Sequence, residues 1–398
     1  MTRQEHVDQI LNRGVITQIL PSAGEFRAAL LSGRKLKFYI GADTTGSALH
    51  LSHAKNFILL EEFRQLGHEV FVLFGDLTAC IGDPSEKDSA RAKLTRGKAK
   101  ENAQSWLKQI SPIISFDCEE NPARVVYNSS WFDELSVTEL LELFANATVQ
   151  QMLERDMFQK RLSESKPIFL HEFLYPMFQG YDSVAMEIDV ELCGTDQIFN
   201  ALTGRDLLKK YKNKEKFVVA VNLMENPKTG ELMSKSNNTG VFLGGGAREM
   251  FGQVMAQPDE MIRILLINDT RVPLDEIEAL DISGKPMEAK LFTAREITRM
   301  FYGGDAAARE HENFINTFSK KAFSEDAEVV KIGVREIDLL GLLCECMPAE
   351  SKSSLRRLIS QNAVSVDGEK CGDERAVFAV DGEMRVKVGK RGFYLVEP

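Results

Sequence analysis

The chain has little cysteine, no long apolar run and no excess of positive charge, and each shortage narrows what it can be. Six cysteines occur in 398 residues, Cys80, Cys118, Cys193, Cys344, Cys346 and Cys371, and none forms a Cys-x-x-Cys pair. This argues against a disulfide framework and supplies no zinc-ligand spacing. Cys344 and Cys346 fall in the apolar stretch Leu339 to Met347 and read as core. No apolar run is long enough to span a bilayer. The opening Met1-Thr2-Arg3-Gln4-Glu5-His6 lacks the basic-then-apolar pattern of a secretory signal, so a cytoplasmic protein with no membrane contact is expected. There is no internal repeat and no low-complexity segment. Net charge is −10, which argues against broad nonspecific binding to nucleic acid. The charge is uneven, however. Lys331 to Pro398 carries 11 basic and 11 acidic residues and is neutral, so the acidity sits in the rest of the chain. That neutral tail clusters Arg385, Lys387, Lys390 and Arg391.

With 43% hydrophobic and 27% charged residues, the chain is ordinary for a globular protein and long enough for two or three domains. Lys35 to Ile40, Glu69 to Phe74, Arg124 to Asn128, Glu187 to Leu192 and Phe217 to Val221 read as strands. His53 to Gln65, Ala99 to Ile110, a block from Val137, and Gln197 to Tyr211 have helical spacing between them. Strands alternating with helices predict a parallel sheet covered on both faces. From Arg248 the pattern turns helical only, over Arg248 to Ala256, Asp259 to Ile267, Met287 to Phe301 and Ala306 to Phe318. Asp326 to Lys331 reads as a strand or linker. The tail begins with two short helices, Glu336 to Leu343 and Ser351 to Ser360. It continues as short strands with turns at Asp367-Gly368 and Asp381-Gly382.

Five polar stretches carry candidate chemistry. His50-Leu51-Ser52-His53 places two histidines three apart where an apolar strand gives way to a helix. Positions i and i+3 share a helical face, and free N–H groups at a helix start favour an anion. Gly82-Asp83-Pro84-Ser85-Glu86-Lys87 lies beyond a strand's carboxyl end, where parallel sheets hold ligands. Asp83 suits an ammonium group there, and Lys87 and Arg91, four apart, suit phosphate. Tyr175, Gln179 and Asp182 fall at i, i+4 and i+7 and share one face, a phenol, an amide and a carboxylate that do not make a core. Gly194-Thr195-Asp196-Gln197 is a further turn at the same sheet edge. Met233-Ser234-Lys235-Ser236-Asn237-Asn238 reads as a polar loop able to swing Lys235 onto a pyrophosphate.

In this order, the motifs resemble those of bacterial-type tyrosyl-tRNA synthetases, over about Arg13 to Pro398. His50-Leu51-Ser52-His53 is similar to the HIGH signature and Leu232-Met233-Ser234-Lys235-Ser236 to the KMSKS signature of class I aminoacyl-tRNA synthetases. The set Tyr39, Asp83, Tyr175, Gln179 and Asp182 is the tyrosine-specific part. The resemblance implies that Tyr39 and Asp182 hydrogen-bond the substrate phenol, and that Asp83, Tyr175 and Gln179 hold its α-ammonium. It implies that Thr45, His50 and His53 contact ATP phosphates, and that Lys87, Arg91 and Lys235 meet the leaving pyrophosphate. Gly41, Asp43, Ser52, Gly194, Asp196, Gln197, Met233, Ser234 and Ser236 would line the ATP and adenylate site. The tail is similar to a small RNA-binding fold, with Arg356, Arg357, Arg385, Lys387, Lys390 and Arg391 facing RNA phosphates.

The fold class this implies is α/β. A Rossmann-like catalytic domain (1–225) would bind tyrosine and ATP, followed by the KMSKS-type loop and a helical domain (226–325) and a small α+β RNA-binding domain (332–398). The implied function is tyrosine—tRNA ligase, with L-tyrosine, ATP with Mg2+, and tRNA(Tyr) as substrates, no protein-bound metal site, and a homodimer as the assembly. Three positions depart from the family pattern. Ser52 stands where the HIGH signature has glycine, Leu232 where KMSKS has its first lysine, and Glu86 where glycine is usual. Lys228, four residues before Leu232, is a candidate replacement cation. These departures leave a second reading open, a catalytically weakened paralogue acting as an RNA-binding module. A nucleotidyltransferase and a tryptophan-specific relative share parts of the pattern, but the Tyr39 and Asp182 pair favours a phenol.

Overall fold

Six strands build the sheet that positions the site: β1 (Ile16–Leu20), β2 (Lys37–Ala42), β3 (Glu69–Phe74), β4 (Arg124–Tyr127), β5 (Val190–Gly194) and β6 (Phe217–Val221). The structure, a computed structural model, describes residues 1–84, 94–233, 240–316, 327–389 and 392–398. It divides into two compact units, Met1–Ala307 and Ala308–Pro398. In the first, the strand order is β1-β6-β5-β2-β3-β4. The chain runs outward from β2 through β3 to β4, then returns to lay β5 and β6 on the other side of β2. Parallel sheets open a ligand crevice at such a switch point, outside the carboxyl ends of the strands. Here those ends are Ala42 of β2 and Gly194 of β5.

Strands β2 to β6 are parallel, as their spacing between helices predicts. Each is a short apolar run because helices cover both faces. In β3 every residue from Val70 to Phe74 is buried. The antiparallel pairing of β1 with β6 departs from the expected all-parallel sheet. Strand β1 is an edge strand, Ile-Thr-Gln-Ile-Leu, half of it facing solvent, so it shows no buried run to mark it. β5 begins at Val190 rather than Glu187, because Glu187 adopts a left-handed conformation (φ 51°) that caps the preceding helix.

Two long helices, Leu170–Met186 and Ile198–Lys212, pack beside β5 and carry much of the candidate site. They cross at Gly180 and Gly204. A Cβ on Gly180 would stand 3.1 Å from the Gly204 backbone nitrogen, and one on Gly204 would stand 2.7 Å from Lys216 Nζ. Only residues without a side chain permit that approach. Beyond β6, the helices Gly246–Met255, Ile262–Asp269, Pro286–Tyr302 and Gly304–Phe314 follow the helical pattern read from the sequence, and a short helix, Leu274–Ala279, is added to those expected. Arg13 closes the end of Ile262–Asp269 by donating to the carbonyls of Leu266, Ile267, Thr270 and Val272.

In the second unit, β7 (Glu328–Lys331), β9 (Val364–Val366), β10 (Glu369–Lys370), β12 (Met384–Val388) and β13 (Gly392–Glu397) form a sheet of order β10-β9-β12-β13-β7. A separate pair joins β8 (Glu336–Asp338) to β11 (Val377–Ala379). Asp367 and Gly368 both have positive φ, 48° and 90°, and turn β9 into β10 as their sequence predicts. The core gathers Leu339, Leu342, Leu343, Leu355, Ile359 and Val386. The helix expected from Glu336 starts three residues later, at Leu339. Asp338 is its cap, accepting from the Gly341 N–H at 2.6 Å, and Glu336 and Ile337 are spent on the β8–β11 ladder.

Candidate active site

The carboxyl ends of β2 and β5 face the Leu170–Met186 helix, and the tyrosine-type residues meet there. Tyr39 lies in β2 and is fully buried, packed with Phe71, Leu73 and Ile188. Asp182 is 2% exposed, and Trp131 Nε1 donates to its Oδ1 at 3.0 Å. Burial pushes the pKa of Asp182 well above the usual carboxylate range, while Trp131 and Asn128 act in the opposite sense. Burial likewise raises the Tyr39 phenol, with the carboxylates of Glu191 and Asp182 adding to the effect. A phenol kept protonated and a carboxyl are both groups that can hydrogen-bond a hydroxyl.

At the other end of the same helix, the Tyr175 hydroxyl donates to Asp43 Oδ2 at 3.0 Å, and Thr78 Oγ1 donates to Asp43 Oδ1 at 2.6 Å. Asn128 Nδ2 reaches Thr78 Oγ1 at 3.1 Å, so the Asp43 and Asp182 ends of the site are linked through Asn128. Gln179 Nε2 donates to Glu191 Oε1 at 3.2 Å, and its Oε1 accepts from Asn200 Nδ2 at 2.9 Å. Asn200 also donates to Gln197 Oε1 at 2.8 Å, and Gln197 Nε2 donates to Asp83 Oδ2 at 2.7 Å and Asp196 Oδ2 at 3.1 Å. Asp83, Gln179, Asp196 and Gln197 are therefore joined in one hydrogen-bond network, and Tyr175 lies one helical turn before Gln179. Asp43 joins them through Tyr175. Their acceptor oxygens suit an ammonium group.

The histidine turn is also as expected. His50 is the residue before the Leu51–Gln65 helix, its backbone N–H donates to His53 Nδ1 at 3.4 Å, and the two rings stand 4.0 Å apart. Thr45 is exposed on the loop between β2 and this helix, and its N–H donates to the Asp43 carbonyl at 2.8 Å. The Arg96–Ile110 helix grips that loop. Asn102 donates to the Thr44 carbonyl, Trp106 to Gly46 and Gln109 to Ser47. Gly41 is next to last in β2 and Gly194 ends β5. Ser52 lies in the first turn of the Leu51–Gln65 helix, partly exposed.

Lys87, Arg91, Ser234, Lys235 and Ser236, with Glu86, lie outside the described residues, as do Lys390 and Arg391 in the tail. The residues flanking 234–239 are fixed. Met233 is buried and its N–H meets the Met224 carbonyl at 3.4 Å, while Leu232 forms a bridge with Glu225. On the far side, Leu51 N–H donates to the Val241 carbonyl at 2.9 Å and Leu243 N–H to Leu49 at 3.0 Å, so that segment is tied to the histidine turn. Lys228 forms an ion pair with Glu260. In the second unit, Arg356 and Arg357 are exposed on the Lys352–Ser360 helix, and Arg385 and Lys387 lie on β12. Arg356 bonds Glu374 at 2.8 Å.

The family described as "tRNA synthetases class I (W and Y)" matches residues 31–319. The chain is 37% identical to the tyrosine—tRNA ligase of Aquifex aeolicus, over all of this chain and 99% of that one. It is equally 37% identical to that of Thermotoga maritima, over all of this chain and 98% of the other. This chain belongs to the tyrosine—tRNA ligase family. Among solved structures, a C-terminally truncated mitochondrial tyrosyl-tRNA synthetase of Aspergillus nidulans superposes with a TM-score of 0.67. It is 20% identical and covers 79% of this chain and 94% of that one. The Archaeoglobus fulgidus enzyme, solved with L-tyrosine, gives a TM-score of 0.58 at 17% identity, covering 78% of this chain and all of that one. These two likenesses place the sheet unit in the same Rossmann-like fold.

Several residues of the candidate site were not singled out from the sequence. Asn128 and Trp131 steady Asp182, Thr78 steadies Asp43, and Ser183, Asn200, Glu191 and Lys216 bind the rest together. A signal existed for two of them. Glu191 interrupts the apolar Val190 to Cys193, and Lys216 opens the apolar Phe217 to Val221, where a charge is rarely buried without a partner.

Proposed function

We propose that this member of the family is a tyrosine—tRNA ligase: it joins L-tyrosine to ATP as tyrosyl-adenylate, releases pyrophosphate, and passes the tyrosyl group to the 3′ end of tRNA(Tyr). The observation that carries the assignment is the buried Tyr39 and Asp182 pair in a chain that matches tyrosine—tRNA ligases over its full length. Phenylalanine in this receptacle would leave buried polar partners without a hydroxyl to meet, which is costly.

In our reading, Tyr39 and Asp182 take the phenol while Asp83, Tyr175 and Gln179 take the α-ammonium. The tyrosine carboxylate then attacks the α-phosphate. Thr45, His50 and His53 stabilise the charge that develops on the phosphates, and Lys87, Arg91 and Lys235 receive the pyrophosphate. Gly41, Asp43, Ser52, Gly194, Asp196, Gln197, Met233, Ser234 and Ser236 form the nucleotide surface. No side chain is required as nucleophile or general base, because alignment and charge stabilisation suffice. Mg2+ enters with ATP as part of that substrate.

The chain is read as three functional parts: 1–225 for tyrosine and ATP, 226–325 for the KMSKS-type loop and helices, and 332–398 for tRNA. Arg356, Arg357, Arg385, Lys387, Lys390 and Arg391 would face tRNA phosphates. A homodimer is supported by apolar residues left exposed on helices of the first unit, Val137 (74%), Leu141 (64%) and Leu170 (81%) among them. Among the described residues no helix is long and apolar enough to cross a membrane, and we place the enzyme in the cytoplasm.

Tyrosine-dependent ATP–pyrophosphate exchange tests the activity; its absence would refute the assignment. Deleting the chain from Val334 onward should leave exchange within about twofold of the parent and reduce tRNA charging by about a hundredfold or more. Unchanged charging would remove the tail from the tRNA site.

A further inference from the structure

Glu191 and Lys216 form an ion pair at the heart of the first unit that the reaction itself does not use. Each is 1% exposed. Parallel pairing of β5 with β6 sets Val190 against Phe217, which brings Glu191 beside the residue just before β6. Carboxylate Oε2 takes the Lys216 ammonium and lies 3.4 Å from Ser183 Oγ, while Oε1 accepts from Gln179 Nε2 at 3.2 Å. Lys216 Nζ also donates to Ser183 Oγ at 2.8 Å, and Ser183 Oγ stands 3.3 Å from the Tyr39 hydroxyl.

The two ends of a carboxamide differ, since nitrogen only donates and oxygen only accepts. A carboxylate only accepts, so Glu191 draws the nitrogen of Gln179 toward itself and turns the oxygen away. One lone pair of that oxygen takes Asn200 Nδ2 at 2.9 Å, and the other is left for a donor such as an ammonium. Reversing the amide would set oxygen against carboxylate and NH2 against NH2. Lys216 is what allows Glu191 to remain an acceptor at such depth, because a buried carboxylate needs a counter-charge.

We propose that the Glu191–Lys216 pair is the positioning device of the amino-acid pocket. It fixes the Gln179 amide with its oxygen toward the substrate ammonium, and through Ser183 it holds the Tyr39 hydroxyl at the substrate phenol. This rests on reading the pocket as the tyrosine site.

The test is pyrophosphate exchange on the full-length chain carrying Glu191→Gln with Lys216→Met, a neutral exchange of similar volume. The tyrosine KM should rise by about tenfold or more while the ATP KM stays within about twofold. Adding Gln179→Met should raise the tyrosine KM by clearly less than Gln179→Met does in the parent, because the pair acts in part through that amide. Should the double variant fail to fold, Glu191→Gln alone carries the same KM expectation. A parent-like tyrosine KM, or a Gln179→Met effect that adds in full, overturns the proposal. A parent enzyme with no tyrosine-dependent exchange would instead overturn the reading of the site.

Discussion

Among the described residues of the first unit two pairs of opposite charge are buried, and they could hardly be used more differently. Glu191 and Lys216 touch, and their remaining valences go to Ser183 and Gln179. Lys55 and Asp269 attract each other without a hydrogen bond between them. Lys55 is 2% exposed, donates to Asn56 Oδ1 at 2.8 Å, and is pushed down to about 8 by burial, against the pull of Asp269 and Asp196. Asp269 is fully buried, and neither of its carboxyl oxygens has a hydrogen-bond partner among the described residues. It also ends a helix, where the backbone dipole is unfavourable to negative charge. Burial raises its pKa well above the usual range. Hydrogen-bond geometry, rather than the presence of opposite charges, separates a pair that organises a pocket from one that burdens the fold.

The sharpest way to break this comparison is to remove one partner from the first pair. Lys216→Met alone leaves the Glu191 carboxylate buried without its cation, and urea unfolding should show a loss of about 3–5 kcal/mol. A loss no larger than that of a surface lysine would erase the distinction. The second pair should behave oppositely. Below pH 8 Lys55 is charged in both folded and unfolded chains, and the folded state bears the whole cost of burying the ammonium. Between about 8 and 10.5 the folded chain loses its proton first, so stability rises with pH across that window. Lys55→Met should therefore stabilise the protein at neutral pH by up to about 3 kcal/mol, with the gain fading across that window and gone above it. Asp269, held toward its neutral form, would not be stranded by the change. Equal effects at neutral and alkaline pH would contradict this account.

Smaller effects belong to the substrate contacts. Asp182→Asn should lower kcat/KM for tyrosine by about a hundredfold with little change in the ATP KM, read by pyrophosphate exchange. On the nucleotide side a charge is missing rather than buried. Leu232→Lys should accelerate single-turnover formation of tyrosyl-adenylate by about tenfold, and an unchanged rate would show that Leu232 costs the enzyme nothing.

What could be read from the sequence was local. The i, i+4, i+7 spacing of Tyr175, Gln179 and Asp182 fixes their common face whatever the rest of the chain does, and apolar runs between helices place β2 and β5, though both strands run two residues beyond the expected ends at Ile40 and Leu192, to Ala42 and Gly194. What escaped was long-range or contrary to a local cue. β1 is recognisable only by its ladder to β6, about two hundred residues away. The helix after Glu336 starts late because Asp338 caps it and β11 claims the residues before it. Trp131 carries no mark of its role in the sequence, and Glu191 only the mark of a charge in an apolar strand; each acts on a side chain of the Leu170–Met186 helix, a different element from its own.

The bare crossing at Gly180 and Gly204 makes the pocket sensitive from behind. Gly204 is remote from the substrate space, yet one methyl group added there would press on the lysine ammonium, the serine hydroxyl and the opposing glycine together. On the proposed reading of the pocket, Gly204→Ala would loosen the grip on tyrosine with no proposed substrate contact replaced.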